Sequence, residues 1–190
     1  MLAYVESILP YIFCFNDKLC EVKILNDNFK NNYLRTGETN GVVHITKNNV
    51  PIDIPILENE EFKVKVIVGD SNRILVDIPK QFLFYPLMET VDAGYNFIIH
   101  ANNFKPNKER DYLYQDGANE ELKVDVENNE KLLELGFDLV LEKIKRENRN
   151  GLVKHEEVSI EEGKITNALL ELMDKVEEEA ASAYYNKASI

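Results

Sequence analysis

The strongest candidate for a chemical role is the run at positions 102–113, Asn-Asn-Phe-Lys-Pro-Asn-Lys-Glu-Arg-Asp-Tyr-Leu. This run follows an apolar stretch, contains one Pro, and places Lys105, Lys108 and Arg110 within six residues. Lys carries a compact positive charge and Arg a planar, permanently charged fork, so a loop that presents both suits an anionic phosphate.

A plainer interpretation of the same run is a solvated loop whose lysines only keep it soluble. In that case Arg110 would pair with one of its neighbours, Glu109 or Asp111. Composition alone favours this second interpretation, because charged loop residues are most often solvated and surface ion pairs are common.

Other sequence motifs give weaker evidence of a functional site than this run does. The chain lacks a Gly-x-Ser-x-Gly elbow, a His-Glu-x-x-His motif and a phosphate-binding glycine loop. The run Asp92–Asn96 is similar to an Asp-x-Gly-x-Gly motif of one ATP-binding class, but its second Gly is missing, which favours a strand-joining loop. The carboxylate pair Glu60-Glu61 flanks a predicted strand, and the pair Glu161-Glu162 begins a predicted helix. Acidic residues at a helix N-terminus are explained by the helix dipole and need no catalytic role, so an independent enzyme receives little weight.

Cysteine and histidine usage gives no metal site. Cys14 and Cys20 are predicted to be buried free thiols of a reducing compartment, and His44, His100 and His155 are isolated in the sequence. No run reaches about 18 apolar residues and no basic segment precedes the first apolar stretch, so we expect a cytoplasmic protein with no membrane partner.

The negative charge is concentrated in the last part of the chain. The 190 residues contain 22 Lys and Arg against 34 Asp and Glu, a net charge of −12. Residues 1–110 contribute 12 − 14 = −2, and residues 111–190 contribute 10 − 20 = −10. Such acidity argues against a duplex-binding protein, because phosphate-backbone affinity needs clustered cations, and no nucleic-acid partner is expected. It does not exclude one Arg that meets one nucleotide phosphate.

The segments that precede the cation-rich run at positions 102–113 are predicted to be mainly strands. Residues 2–9 favour a helix that ends at Pro10, and residues 26–40, rich in Asn, favour a loop with a strand near Tyr33. Pro51 and Pro55 make a central strand unlikely between them. The predicted strands are residues 12–15, 21–25, 42–46, 62–68, 73–78, 82–84 and 97–101, with 62–68 and 73–78 forming a hairpin around the turn 69–72.

The hydrophobic period changes to that of helices after Asn119. Apolar residues recur at helical spacing from Glu127 to about Asn150, and a second helix with a capping box begins near Ser159. This order predicts the α+β class. We expect one domain over residues 1–150 and a helical extension over residues 151–190, which packs on that domain or starts the next one.

A family resemblance appears in residues 82–111. The run Phe82-Leu83-Phe84-Tyr85-Pro86-Leu87-Met88-Glu89-Thr90, then Phe97-Ile98-Ile99-His100-Ala101-Asn102-Asn103-Phe104, then Pro106 and Glu109-Arg110-Asp111, resembles the segment downstream of the nucleotide site in sacsin-like bacterial ATPases of the GHKL superfamily. Leu9–Asn16 is similar to the start of their second domain. The order strand, loop, Arg, helix also resembles the middle domain of the ninety-kilodalton heat-shock chaperones.

The resemblance implies a fold and a part in a larger protein. The fold would be like the second domain of ribosomal protein S-five, a sheet with helices on one face and a left-handed crossover, which general rules make rare, followed here by the C-terminal helix. The chain would be a transducer domain cut from a chaperone-like ATPase, since the acidic box and glycine-rich lid of the nucleotide-binding half are missing. ATP and Mg²⁺ would belong to the parent protein, and the first partner would be its upstream nucleotide-binding domain.

The resemblance also assigns site residues. Arg110 falls on the Arg that reaches the γ-phosphate of ATP held by the preceding domain, and Lys108 is a neighbouring cation. The chaperones carry a Gln four residues after that Arg; here Tyr114 occupies the position and Gln115 follows it. On this interpretation the fragment has no activity of its own.

The alternative function is a non-enzymatic module that binds a protein client or forms a homodimer. Its basis is the last predicted helix, whose acidic face lies beside an apolar stripe. The acidic residues are Glu171, Asp174, Glu177, Glu178 and Glu179. Ordinary packing of that helix on its neighbours explains the stripe equally simply.

Overall fold

A computed structural model describes residues 2–26, 29–69, 75, 77–91, 96–114 and 120–147, together with Asp174, Lys175 and Glu178. The elements are α1 (Leu2–Phe15), β1 (Glu21–Asn26), β2 (Phe29–Thr39), β3 (Val42–Lys47), β4 (Val50–Pro55), β5 (Leu57–Asn59), β6 (Val64–Val68), β7 (Gln81–Phe82), β8 (Phe97–Ala101) and α2 (Lys123–Glu147), with short 3-10 turns at Met88–Thr90 and Glu120–Leu122. The predicted α+β class is confirmed.

The chain divides into two compact units, Met1–Leu57 and Glu58–Ile190. This division was not predicted from the sequence. The predicted boundary, near residue 150, lies outside the described residues, as does most of the predicted second helix. Asp174, Lys175 and Glu178 of that helix are helical and exposed.

The first unit contains an antiparallel meander, β1-β2-β3-β4. Two-residue turns join β2 to β3 and β3 to β4, and all four turn residues have positive φ: Asn40 at 52°, Gly41 at 71°, Asn48 at 51° and Asn49 at 68°. Asn and Gly are the residues that adopt this left-handed conformation at least cost, and it matches the twist of a hairpin. These two turns therefore set the register of the sheet.

Strand β4 is an edge strand, as its prolines require. It pairs with β3 alone, and both Pro51 and Pro55 lie within it. A proline cannot donate to a ladder on its N–H side, so an edge is the place where it is tolerated. The prediction that this segment would not form a central strand is confirmed.

Two predictions for the first unit are wrong. Residues 12–15 are helical, because α1 continues through Pro10 to Phe15 and buries Phe13, Cys14 and Phe15. Burial of large side chains, worth about 1.5–3 kcal/mol each, offsets the roughly 3 kcal/mol that an internal proline costs. Residues 29–39 form strand β2 throughout rather than a loop that contains only a short strand near Tyr33, because pairing with both β1 and β3 overrides the low strand propensity of Asn.

A polar network ties α1 to the sheet. The Glu6 carboxylate accepts hydrogen bonds from Lys47 Nζ at 2.8 Å and from the Asn31 amide. The Lys47 ammonium also lies 5.3 Å from the centre of the Tyr33 ring. Lys47 and then Asn31 hold the pKa of Glu6 below its ordinary value of 4.5. Glu6 therefore stabilises the fold while ionised, and this contribution is lost as the pH falls through its lowered pKa.

The second unit is built on the sheet β5-β6-β8-β7. Strand β6 is antiparallel to β8, and β7 is parallel to β8. The prediction that residues 73–78 return as a hairpin partner of β6 is wrong, since β5 and β8 are its neighbours. Leu75, Asp77 and Ile78, the described residues of that segment, are not in a strand. Every residue of β8 is buried, so its backbone N–H and C=O groups must be paired within the protein, and they are paired with β6 on one edge and β7 on the other.

Helix α2 covers this sheet and packs on β6 and β8. Its predicted helical pattern is confirmed, with a start at Lys123 instead of Glu127. Phe137 meets Phe97 of β8 edge to face, with ring centres 5.1 Å apart. The S-five-like arrangement stays a prediction, because residues 92–95 of the connection between β7 and β8 lie outside the described residues.

We predict that Gly136→Ala destabilises the protein. In an exposed helix this change stabilises by about 1 kcal/mol. At Gly136, however, a Cβ would lie 2.8 Å from Ile99 Cγ2 of β8, so α2 would have to move away from the sheet. We expect a loss of about 1–3 kcal/mol, measured as a lower urea midpoint. Asp138→Ala, at an exposed site two residues on, is the control, and a more stable Gly136→Ala variant would contradict this account of the packing.

Candidate functional site: a cation-bearing loop

The loop that follows β8, Asn102–Tyr114, carries the predicted site and has a defined fold. We call it the cation loop. Its two arms meet in an isolated antiparallel bridge between Pro106 and Leu113. The Tyr114 N–H donates to the Lys105 carbonyl at 3.1 Å, and the Asn107 N–H donates to the Tyr112 carbonyl at 2.9 Å. The loop is thus a small hairpin with residues 108–111 at its tip.

The carboxamide of Asn129 fastens this hairpin to α2. Its Oδ1 accepts the Lys105 N–H at 2.8 Å, and its Nδ2 donates to the carbonyls of Lys105 and Tyr114 at 2.8 and 2.9 Å. Asn129 is only 1% exposed. Since an unpaired polar group would be costly at such a depth, the three bonds hold both arms against the helix.

A second carboxamide, that of Asn107, holds the tip. It is 5% exposed, and its Nδ2 donates to Glu109 Oε2 at 3.0 Å and to Asp111 Oδ1 at 2.7 Å. Its Oδ1 accepts the Asp111 N–H at 3.0 Å. Both carboxylates of the tip are therefore engaged by one amide group on the inner side of the turn.

Arg110 occupies the turn itself in an unusual backbone conformation. Its φ is 63°, its N–H donates to the Asn107 carbonyl at 3.1 Å, and its side chain is exposed. A left-handed conformation is uncommon for a residue other than Gly, Asn or Asp and costs about 1–2 kcal/mol. Such strain persists only where the surrounding structure imposes it, and it is frequent at functional sites.

The ion pair expected under the plainer interpretation of the sequence is not formed. Within the described part of the chain, no carboxylate oxygen lies within 4.0 Å of the Arg110 guanidinium. Glu109 and Asp111 bond to Asn107 instead. The guanidinium is therefore presented to solvent rather than neutralised by its neighbours.

The other predicted site residues lie around the same tip or outside the described residues. Lys105 and Lys108 are exposed on the cation loop, while Gln115 is not among the described residues. From Lys105 to Asp111 the loop carries three cations and two carboxylates, a net charge of +1. Exposed cations on a hairpin of fixed shape can bind a phosphate or carboxylate with little loss of conformational entropy.

His100 lies at the end of β8, where the strand enters the loop. Burial lowers its pKa to about 4, so the ring is neutral near pH 7. Its Nδ1 lies 3.2 Å from the Phe82 carbonyl oxygen, and its Nε2 lies 3.0 Å from Asn102 Oδ1. Both oxygens are acceptors, and the neutral ring donates its single N–H to one of them. The imidazole therefore joins the strand end to the loop as a neutral group.

The other predicted groups that fall among the described residues form no second site. Glu60 and Glu61 are exposed, and Glu161 and Glu162 lie outside the described residues. The prediction of two buried thiols is right for Cys14 and wrong for Cys20, which is exposed in the turn before β1. No cluster of three or more His, Cys, Asp or Glu that could hold a metal ion occurs among the described residues. No helix in the described ranges is long and apolar enough to cross a membrane.

Sequence reasoning missed the two carboxamides that shape the site. Asn129 falls on the apolar stripe of α2 with Val126, Leu133 and Phe137, all of them buried. A polar residue at helical spacing within an apolar stripe must find hydrogen-bond partners, so this position carried a usable signal. Asn107 has no comparable signal, because Asn is common in solvated turns.

We predict that Arg110→Gly leaves the protein as stable as before or stabilises it by up to about 1 kcal/mol. Glycine adopts positive φ without strain, and this gain offsets the entropy that glycine adds to the unfolded chain. Lys108→Gly is the matched control, since Lys108 is exposed on the same tip without a positive φ. It should cost about 0.5–1 kcal/mol, and equal losses in urea unfolding for both variants would contradict the strain at Arg110.

We predict that Asn107→Asp disrupts the tip. The change removes the N–H donors that hold Glu109 and Asp111 and places a third carboxylate between them. The expected loss is about 2 kcal/mol or more in the free energy of unfolding. Asn103→Asp, on the exposed part of the same loop, should cost less than about 0.5 kcal/mol. Similar losses for the two variants would show that the Asn107 carboxamide does not organise the turn.

No family model, no curated protein and no solved structure matches this chain. The function is therefore inferred from the arrangement of its own side chains and from the resemblance carried by residues 82–111.

Proposed function

We propose that this chain is the transducer part of a cytoplasmic, chaperone-like ATPase of the GHKL superfamily. In that role it supplies Arg110 to the γ-phosphate of ATP held by a nucleotide-binding domain that precedes it. It does not hydrolyse ATP alone; it senses the nucleotide and converts ATP hydrolysis into domain movement.

The observation that supports this proposal most is the state of Arg110. Its guanidinium is exposed at the tip of a hairpin, and both neighbouring carboxylates are bonded to Asn107. A guanidinium engaged by its own neighbours would have to break that pair before it could contact a phosphate. Here the charge is available, and the hairpin that carries it is fastened to α2 by Asn129.

The chemistry asked of Arg110 is electrostatic. During phosphoryl transfer negative charge spreads over the γ-phosphate oxygens, and a planar, permanently charged fork stabilises it without proton transfer. Lys108 would add a second positive charge near the same oxygens. Mg²⁺ would be held by the nucleotide and the preceding domain. Gln115 lies outside the described residues, and its contact with the nucleotide stays a prediction.

The loss of the γ-phosphate couples ATP hydrolysis to domain movement. While the γ-phosphate is present, Arg110 holds the two domains together; after hydrolysis and phosphate release that bond is gone and the domains can separate. The attachment of the loop to α2 would carry this change to the remainder of the unit, because a fastened hairpin cannot move without its helix.

The test is Arg110→Gln in the parent protein that contains the nucleotide-binding domain. We expect ATP hydrolysis to fall on the order of 10³-fold, with ATP binding to the preceding domain retained. Arg146→Gln is the matched control: Arg146 is exposed on α2, 17 residues beyond Asn129 and therefore roughly 25 Å along the helix axis from the loop attachment. Single-turnover hydrolysis and nucleotide binding are measured on both variants.

Two outcomes would overturn the proposal. One is unchanged hydrolysis in Arg110→Gln while ATP is still bound. The other is a coding sequence with no GHKL nucleotide-binding domain upstream of this segment and no such domain in a protein that copurifies with it. Loss of hydrolysis in both variants would also count against a specific role for Arg110.

A further inference from the structure

Three side chains on one face of the β2-β3-β4 sheet form a continuous hydrogen-bonded chain. Thr39 Oγ1 lies 2.6 Å from His44 Nε2, and His44 Nδ1 lies 2.8 Å from Asp53 Oδ1. The register explains the arrangement. His44 is directly opposite Asp53, and Thr39 is directly opposite Val42. Val42 is two residues before His44, so the side chains of Thr39, His44 and Asp53 all lie on the same face of the sheet.

The partners determine the tautomer of the imidazole. An ionised carboxylate only accepts hydrogen bonds, so His44 Nδ1 carries the proton and donates a hydrogen bond to Asp53 Oδ1. In the neutral ring Nε2 is then the acceptor, and the Thr39 hydroxyl donates to it. This is the order hydroxyl, Nε2, Nδ1, carboxylate in which a hydroxyl nucleophile is activated by a general base that a carboxylate orients.

We propose that Thr39, His44 and Asp53 form an acyl-transfer site whose nucleophile is the Thr39 hydroxyl. His44 is the general base, and Asp53 is a positioning residue that orients the ring so that Nε2 lies against the Thr39 hydroxyl. The substrates are small activated acyl esters, because an exposed sheet face with a half-buried His44 offers access to a small acyl group and to water. The site lies in the first unit and is independent of Arg110 and of the function proposed for it.

The reaction balances without any group beyond water. Thr39 Oγ1 attacks the ester carbonyl as its proton moves to His44 Nε2, and the tetrahedral intermediate collapses by breaking the bond to the leaving alcohol, which takes that proton. Acyl-Thr39 remains. Water then attacks the acyl carbon, His44 removes its proton, and the carboxylic acid leaves as Thr39 regains the proton.

The experiment treats the full 190-residue chain with p-nitrophenyl acetate. We expect release of p-nitrophenol with an initial burst and an acetyl group on Thr39, located by peptide mass spectrometry. Thr39→Val, which keeps the shape of the side chain and removes the hydroxyl, should lower the burst at least about tenfold. Thr36→Val is the matched control, since Thr36 Oγ1 donates to the backbone carbonyl of His44 and does not touch its ring.

Three results would overturn the proposal: no acetyl group on Thr39 above the level found on surface lysines, equal bursts from the wild-type chain and Thr39→Val, or equal losses in Thr39→Val and Thr36→Val. Circular dichroism of each variant separates a lost site from a lost fold. If Thr39→Val does not fold, Thr39→Ser provides the second variant, and its acetylation at residue 39 supports the site while its absence contradicts it.

The positioning role of Asp53 has its own readout. The ¹⁵N chemical shifts of the His44 ring report which nitrogen is protonated. We expect the Nδ1–H form in the wild-type chain and a shift towards the other tautomer in Asp53→Asn, together with a smaller burst. An unchanged tautomer would show that Asp53 only joins two strands.

Discussion

The candidate site depends on one buried interaction, the attachment of the cation loop to α2 by the Asn129 carboxamide. Three hydrogen bonds of 2.8–2.9 Å join this single side chain to both arms of the hairpin. Because Asn129 is almost completely buried, leaving any of these groups unpaired would be costly. The shape of the loop is therefore coupled to the packing of α2 on β6 and β8, and the close approach at Gly136 belongs to the same framework.

Within that framework the Asn107 carboxamide determines which charged side chains the cation loop exposes to solvent. Its amide holds two carboxylates on the inner side of the turn, and the backbone turns through Arg110 in a left-handed conformation. As a result, both carboxylates of this segment of mixed charge are hydrogen-bonded to Asn107, while its guanidinium is exposed. Charge counting along the sequence cannot distinguish this arrangement from an Arg110–Asp111 ion pair, although the two have opposite consequences for anion binding.

The features predictable from the sequence were those set by local physics. The helical period after Asn119, the apolar run of β8 and the edge position of a strand with two prolines all follow from residue types and spacing. Residues 12–15 and 29–39 were mispredicted because tertiary burial and two-sided strand pairing override a proline and a run of Asn. The partner of β6 was mispredicted because the turn residues at 69–72 indicate a chain reversal but do not determine which strand pairs with β6. The hydrogen bonds of Asn107, and those that join Thr39, His44 and Asp53, depend on register and could not be derived from spacing.

The central claim is that Arg110 contacts the terminal phosphate of ATP when the parent protein closes. The most direct measurement is a structure of that protein, including its nucleotide-binding domain, with a non-hydrolysable ATP analogue bound. The account predicts a guanidinium nitrogen of Arg110 about 2.7–2.9 Å from a γ-phosphate oxygen, with the Asn107 bonds to Glu109 and Asp111 preserved. A closed, nucleotide-bound structure in which Arg110 still faces solvent, or pairs with one of those carboxylates, would contradict it.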